Sequence, residues 1–185
     1  HGPLLNPISS IKDLEYKNID LGLKKIAPVF ETVELLKQKK NKKSLIGFCG
    51  GPFTVLNYMI EGGTSAKHEK IRNFIKKEKM KSKDLTKLIT EISIEYLKKQ
   101  IDHGADYIQV FESWAGLLED VDYEEFIIKP NMEISKRIKK YSPNTKIIHF
   151  PRGSKQLYVD FVKNVPCDVI SIDNNYPEEL IKFCH

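Results

Sequence analysis

The run Leu45-Ile46-Gly47-Phe48-Cys49-Gly50-Gly51-Pro52-Phe53-Thr54-Val55-Leu56-Asn57-Tyr58-Met59-Ile60-Glu61-Gly62-Gly63 decides the reading of this chain. It opens with a short apolar segment, the pattern of a buried strand. Gly-Gly-Pro then turns the chain, because Gly admits backbone angles closed to other residues and Pro fixes the next φ. An apolar, aromatic-bearing segment follows and stops at Gly62-Gly63, the pattern of a helix C-cap. A strand thus delivers a tight loop, and a short helix carries Tyr58 close to it. In α/β folds such loops, at the carboxyl ends of strands, are where ligands sit.

Working outward, the same alternation recurs. Strands are expected at Ser44–Phe48, Asp106–Glu112, Lys146–Phe150 and Asp168–Ile172. Before the first lies an amphipathic stretch, Leu21–Lys40, with Pro28 as a local irregularity. Between the strands, helices are expected at Glu69–Glu78, from a cap at Ser82 or Asp84 to about His103, around Tyr123–Ile128, from Pro130 through Ile138, and at Gln156–Asn164. Pro177-Glu178-Glu179 opens a last one. The segment His1–Ser10 reads as loop, Ile11–Asp20 as loop or a short helical turn, and Thr64–Lys67 as a polar loop. Four strand–helix alternations imply parallel βαβ units.

Length and composition fit one globular domain or part of a larger one: 185 residues, 41% hydrophobic and 30% charged. Net charge is +5, with basic clusters at Lys37–Lys43 and Lys76–Lys83. Acidic residues are interspersed and no aromatic-plus-basic module is visible, so these clusters read as solvated helix ends rather than a nucleic-acid site. No apolar run reaches membrane-spanning length. Three cysteines, Cys49, Cys167 and Cys184, form no Cys-x-x-Cys pair, which argues against a disulfide framework or zinc site and for a reducing compartment.

The opening run resembles the "GF-x-G-x-P-[WF]-T-x-x-x-Y-x-[IV]-E-G" signature of the uroporphyrinogen decarboxylase family. Val110-Phe111-Glu112-Ser113-Trp114-Ala115-Gly116 is similar to that family's "[LV]-F-[ED]-S-x-A-G". The resemblance implies a (β/α)8 TIM barrel, of which residues 1–185 would supply about four central βα units as a single partial domain without its N-terminal and C-terminal portions. An open parallel α/β sheet, doubly wound, is the structural alternative. The implied reaction removes the carboxylates of four acetate side chains from uroporphyrinogen to give coproporphyrinogen. It uses no cofactor and no metal. The implied partners are this small molecule and a second copy in a homodimer, with no nucleic acid or membrane. The implied setting is the cytoplasm or a plastid-type organelle, any targeting segment lying outside the sequence.

Two substrate-contacting positions match: Tyr58 in the first motif and Ser113 in the second, each with a hydroxyl that can donate to a carboxylate. Alone, they would read as a satisfied buried Tyr and a helix-capping Ser. Phe48 and Phe111, at strand ends, would wall an apolar cleft or simply pack a core. The family's Arg-rich segment, its pyrrole-binding Asp and its C-terminal His have no match here, so no catalytic residue is carried over and this chain alone is expected to have little or no activity. Glu112 is an acid or base, or it orients a neighbouring loop, and the second reading is favoured. Asp173 is read as structural. Arg152 lies in the loop after the third strand without an assignable role. A zinc-dependent, cobamide-linked methyltransferase of the same superfamily would hold zinc with His-x-Cys after a strand. Here His149-Phe150-Pro151 puts Pro where Cys is needed. A binding or assembly module is the non-enzymatic alternative.

Overall fold

A computed structural model describes residues 7–8, 18–39, 42–63 and 67–183. The expectations for His1–Ser10, Ile11–Asp20 and Thr64–Lys67 fall largely outside these residues, as does Cys184. Four strands form one parallel sheet in chain order: β1 (Ile46–Gly50), β2 (Tyr107–Glu112), β3 (Lys146–Pro151) and β4 (Val169–Ile170). Register is continuous across it, with Cys49 opposite Val110 and Val110 opposite His149.

Helices intervene at every step: α1 (Ile19–Lys25), α2 (Ala27–Lys39), α3 (Pro52–Glu61), α4 (Glu69–Lys77), α5 (Lys79–Asp102), α6 (Asp120–Tyr123), α7 (Lys129–Tyr141) and α8 (Leu157–Asn164). The irregularity at Pro28 takes the form of a break at Ile26, with Pro28 in the first turn of α2. Only Leu23, Phe30 and Val33 of that stretch are buried, while Leu21, Val29, Leu35 and Leu36 are exposed. Neither Ser82 nor Asp84 caps α5, which starts at Lys79. Ser82 is buried inside it and donates to Glu78 O at 3.0 Å. A five-residue π-turn, Glu124–Ile128, joins α6 to α7. Its cause is Pro130, which has no N–H and whose ring would strike the carbonyl four residues back. The chain slips by one, and Lys129 N–H bonds to Glu124 O.

Strand alternation sorts the sheet into two faces. Cys49, Ile108, Val110 and Ile147 are buried against Ile94 and Leu97 of α5 and Ile134 and Ile138 of α7. A second cluster joins Phe53 and Leu56 of α3, Ile71 and Ile75 of α4, Leu85 and Ile89 of α5, Phe126, Ile127 and Phe161. Each fully buried side chain contributes about 1.5–3 kcal/mol. On the other face Phe48, Phe111 and Phe150 form an edge-to-face ladder at 5.9 and 6.3 Å. Phe48 is 60% exposed. Consecutive strand order and helices packed on one face are singly wound. A doubly wound sheet reverses its strand order and covers both faces, so that alternative is overturned. The described strands are an arc of a (β/α)8 barrel, with the aromatic ladder on the lumen side.

Side chains replace missing backbone partners at the ends and edges. Asp106 accepts from Leu45 N–H at 2.8 Å, and Asp168 from Ile147 N–H at 2.9 Å, two strands further on. Asp173 accepts from Gly153 N–H. Strand β4 spans two residues rather than the five expected. At the opposite edge, Leu45 O accepts from Tyr107 N–H and Gly51 N–H donates to Phe111 O. Alternate residues of β1 therefore face β2, and Phe48 turns its N–H and C=O to the edge of the described sheet. Both are taken by Gln100 of α5: Phe48 N–H donates to Oε1 and Nε2 donates to Phe48 O, each at 3.0 Å. Gln100 passes over Gly47, where a Cβ would stand 2.8 Å from Oε1.

Gln100→Leu is expected to cost about 1–3 kcal/mol in urea unfolding and to increase self-association through the opened edge. An unchanged midpoint and unchanged sedimentation would contradict this role for Gln100.

Candidate functional site

Tyr58 and Ser113 lie on the segments that follow β1 and β2. Helix α3 starts at Pro52, directly after β1, and ends where Gly62 turns left-handed (φ 79°) and donates its N–H to Tyr58 O. Ser113 follows β2, and the next residue, Trp114, brings its ring to 6.4 Å from that of Tyr58. His68 also packs on Trp114, at 4.2 Å between ring centroids, and bonds through Nδ1 to Asn57 Oδ1 at 3.0 Å. Two buried donors beside this cluster, Asn57 Nδ2 and Trp114 Nε1, have no hydrogen-bond partner among the described residues.

The two motifs are joined by Glu112, which is 1% exposed. The side chain of Gly51 cannot cap α3, so its first N–H groups need an acceptor from elsewhere. Glu112 supplies it: Oε1 accepts from Phe53 N–H at 3.2 Å, and Oε2 accepts from Thr54 N–H at 3.0 Å. The Thr54 hydroxyl donates to Oε2 at 2.9 Å, and Asn131 Nδ2 of α7 donates to Oε1 at 3.1 Å. A Cβ on Gly51 would stand 2.2 Å from the Glu112 carboxyl carbon, which explains the glycine. Burial pushes the Glu112 carboxyl up to about 7, against the pull of Asn131, Thr54 and Phe53 toward the charged form. Glu112 thus orients the loop, as its favoured reading had it.

The loops after β2 and β3 lock together. Gly116 N–H donates to Arg152 O at 3.0 Å, and a Cβ there would lie 2.4 Å from Gly153 O. Asp173 has the structural part expected of it. Burial works against its charge, but the N–H groups of Gly153 and Asn175 and the Tyr158 hydroxyl outweigh it and lower its pKa. Exposed Arg152 adds to that pull and touches neither Tyr58 nor Ser113 in any described bond. Cys49 lies in β1, one residue beyond the expected end of that strand, and is buried on the helix side, where desolvation and the charge of Glu112 raise its pKa.

His149 points at the helices. Its Nε2 bonds to Ser135 Oγ at 2.8 Å, and its ring packs on Phe161 at 5.4 Å. Burial pushes it down to about 3. A zinc ligand in the cleft would have to face the other way, so the methyltransferase reading loses its histidine as well as its cysteine. Among the described residues, no group of three or more His, Cys, Asp or Glu side chains could hold a metal, and no helix is long and apolar enough to cross a membrane. Phe48 and Phe111 line the lumen face rather than the helix-side core. Sequence reasoning missed Thr54, Asn57, His68 and Asn131. Thr54 stands in the motif with its hydroxyl available as a signal, whereas nothing in sequence marks Asn131 as Glu112's neighbour.

A singly wound arc with polar side chains at its carboxyl ends defines a protein of the (β/α)8-barrel class. The family model described as uroporphyrinogen decarboxylase (URO-D) matches residues 1–182. The chain is similar to the uroporphyrinogen decarboxylases of Rickettsia bellii (strain RML369-C), at 40% identity over 98% of this chain and 53% of the relative, and of Orientia tsutsugamushi (strain Ikeda), at 38% over 98% and 53%. That of Rickettsia conorii (strain ATCC VR-613 / Malish 7) is 36% identical over 98% and 52%. The chain spans about half the length of these relatives. It belongs to the uroporphyrinogen decarboxylase family.

Glu112 and His149 make opposite contributions to stability with pH. The raised pKa of Glu112 (4.5 to about 7) lets the native state hold a proton the unfolded chain has lost, so its contribution falls as pH rises through that window. The lowered pKa of His149 (6.5 to about 3) does the reverse, its contribution falling as pH drops. Each slope is about 1.4 kcal/mol per pH unit, and they cancel between pH 4.5 and 6.5. Urea unfolding across that range should show Glu112→Gln gaining stability with pH relative to the unsubstituted chain, and His149→Gln losing it. Three parallel curves would contradict both assignments.

Proposed function

We propose that the complete gene product carrying this chain decarboxylates uroporphyrinogen to coproporphyrinogen, and that Tyr58 and Ser113 donate hydrogen bonds to substrate carboxylates. The observation that carries this reading is the convergence of the two motifs, the Tyr58 ring meeting Trp114 beside Ser113. Two buried N–H donors, on Asn57 and Trp114, that have no partner among the described residues add demand for an acceptor in the same place. The ladder Phe48, Phe111, Phe150 supplies an apolar wall suited to the face of a tetrapyrrole.

The chemistry needs no cofactor. Protonating a pyrrole makes its ring an electron sink. The carbon–carbon bond to an acetate carboxylate breaks, its electron pair enters the protonated ring, carbon dioxide leaves, a proton completes the methyl group, and the proton first added to the pyrrole is released. The protein's tasks are to hold many carboxylates, exclude water and stabilise the ring cation. Residues 1–185, a single partial barrel domain, carry the Tyr and Ser share of the first task, so the isolated chain is expected to turn over little or nothing. The proposal includes a homodimer, and the cytoplasm or a plastid-type organelle as its setting.

The test is anaerobic incubation of the complete gene product with uroporphyrinogen and no added cofactor, followed by separation of the oxidised porphyrins by carboxylate number. Seven- to four-carboxylate products are expected, falling about 10- to 100-fold in Tyr58→Phe through loss of a hydrogen bond to a charged group. No products, with or without zinc and thiol, would overturn the reading in favour of a binding or assembly module.

A further inference from the structure

We propose that Glu112 is the positioning residue of this site, its carboxylate setting the spacing between the Tyr58 and Ser113 hydroxyls. This rests on the reading of that pair as carboxylate donors. Glu112 is buried and does not itself reach substrate. It acts through what it holds. Its side chain takes two of the first N–H groups of α3, the helix that ends in the turn carrying Tyr58. Its backbone leads directly into Ser113, and its carbonyl accepts from Arg152 N–H at 3.1 Å.

Thr54 closes the linkage. Its hydroxyl donates to Glu112 Oε2 and accepts from Trp114 N–H at 3.4 Å. The residue after Ser113 is therefore tied back to the helix that bears Tyr58. Asn131, 0% exposed, anchors the same carboxylate to α7, with its Nδ2 also donating to Ile127 O at 2.8 Å in the π-turn. All four side-chain partners of Glu112 are donors. A neutral amide cannot accept from all of them, so Glu112→Gln keeps the shape and loosens the register, as far as Asn131 and Thr54 fail to reorient. Thr54→Val removes only the hydroxyl bridge and leaves the cap in place, providing a milder second variant.

The experiment is a double-mutant cycle in the complete gene product, with kcat and KM for uroporphyrinogen measured for Glu112→Gln, Tyr58→Phe and the pair. A residue acting through Tyr58 loses its effect once the hydroxyl is gone. Glu112→Gln should lower kcat/KM by about tenfold in the parent and by less than about twofold on the Tyr58→Phe background. Multiplying losses, or an unaffected Glu112→Gln, would overturn the proposal. A second arm needs no turnover. Trp114 is the sole tryptophan of residues 1–185, so with any tryptophan elsewhere in the gene product replaced by Phe, acrylamide quenching of its emission reports the junction itself. Glu112→Gln, or Thr54→Val where the former does not fold, should raise the quenching constant about twofold, and an unchanged constant overturns the proposal. Failure of the functional reading looks different: the parent shows no turnover while the quenching constant still rises.

Discussion

A buried carboxylate at the start of a helix governs this structure. Helix α3 begins with N–H groups that no preceding turn can satisfy and a glycine that cannot cap them. Glu112 reaches across from the end of the neighbouring strand to accept from Phe53 and Thr54. Its position leaves no room for a side chain at Gly51, and its carboxylate accepts a bond from Asn131 Nδ2 of α7. The helix N-terminus attracts negative charge while burial resists it. The outcome, a carboxyl pushed up to about 7, is the balance of the two. One interaction thus fixes where two sequence motifs, some sixty residues apart, meet.

The rest of the fold follows from which face of the sheet is covered. Helices bury the side of Cys49, Val110 and His149, and the aromatic ladder occupies the other. Side chains occupy backbone groups at both edges of the described sheet. At β1 the amide of Gln100 occupies the peptide groups of Phe48. Toward β4, Asp168 and Asp173 take backbone donors of β3 and of the loop after it. Orientation also decides chemistry: the same two-residue period that puts Phe150 on the lumen side turns His149 away from it.

Much of this could be read from sequence, for identifiable reasons. The strands and α3 were marked by apolar runs bounded by Gly and Pro, and family membership by the motifs around Tyr58 and Ser113. The doubly wound alternative could not be dismissed, because alternation of elements does not say on which face the helices fall. The start of α5 was misplaced, since Ser82 resembles a cap but bonds backward inside a helix that Glu78 has already begun. The roles of Asn131 and Gln100 depend on contacts over 19 to 52 residues, which no local pattern encodes.

The most direct measurement is amide hydrogen exchange at Phe53 and Thr54, followed by NMR. Helix-start amides without an acceptor exchange quickly. If Glu112 caps α3, both should be protected as strongly as amides in the interior of the helix. Exchange at the rate of a free helix end would show that the two motifs are not joined through this carboxylate.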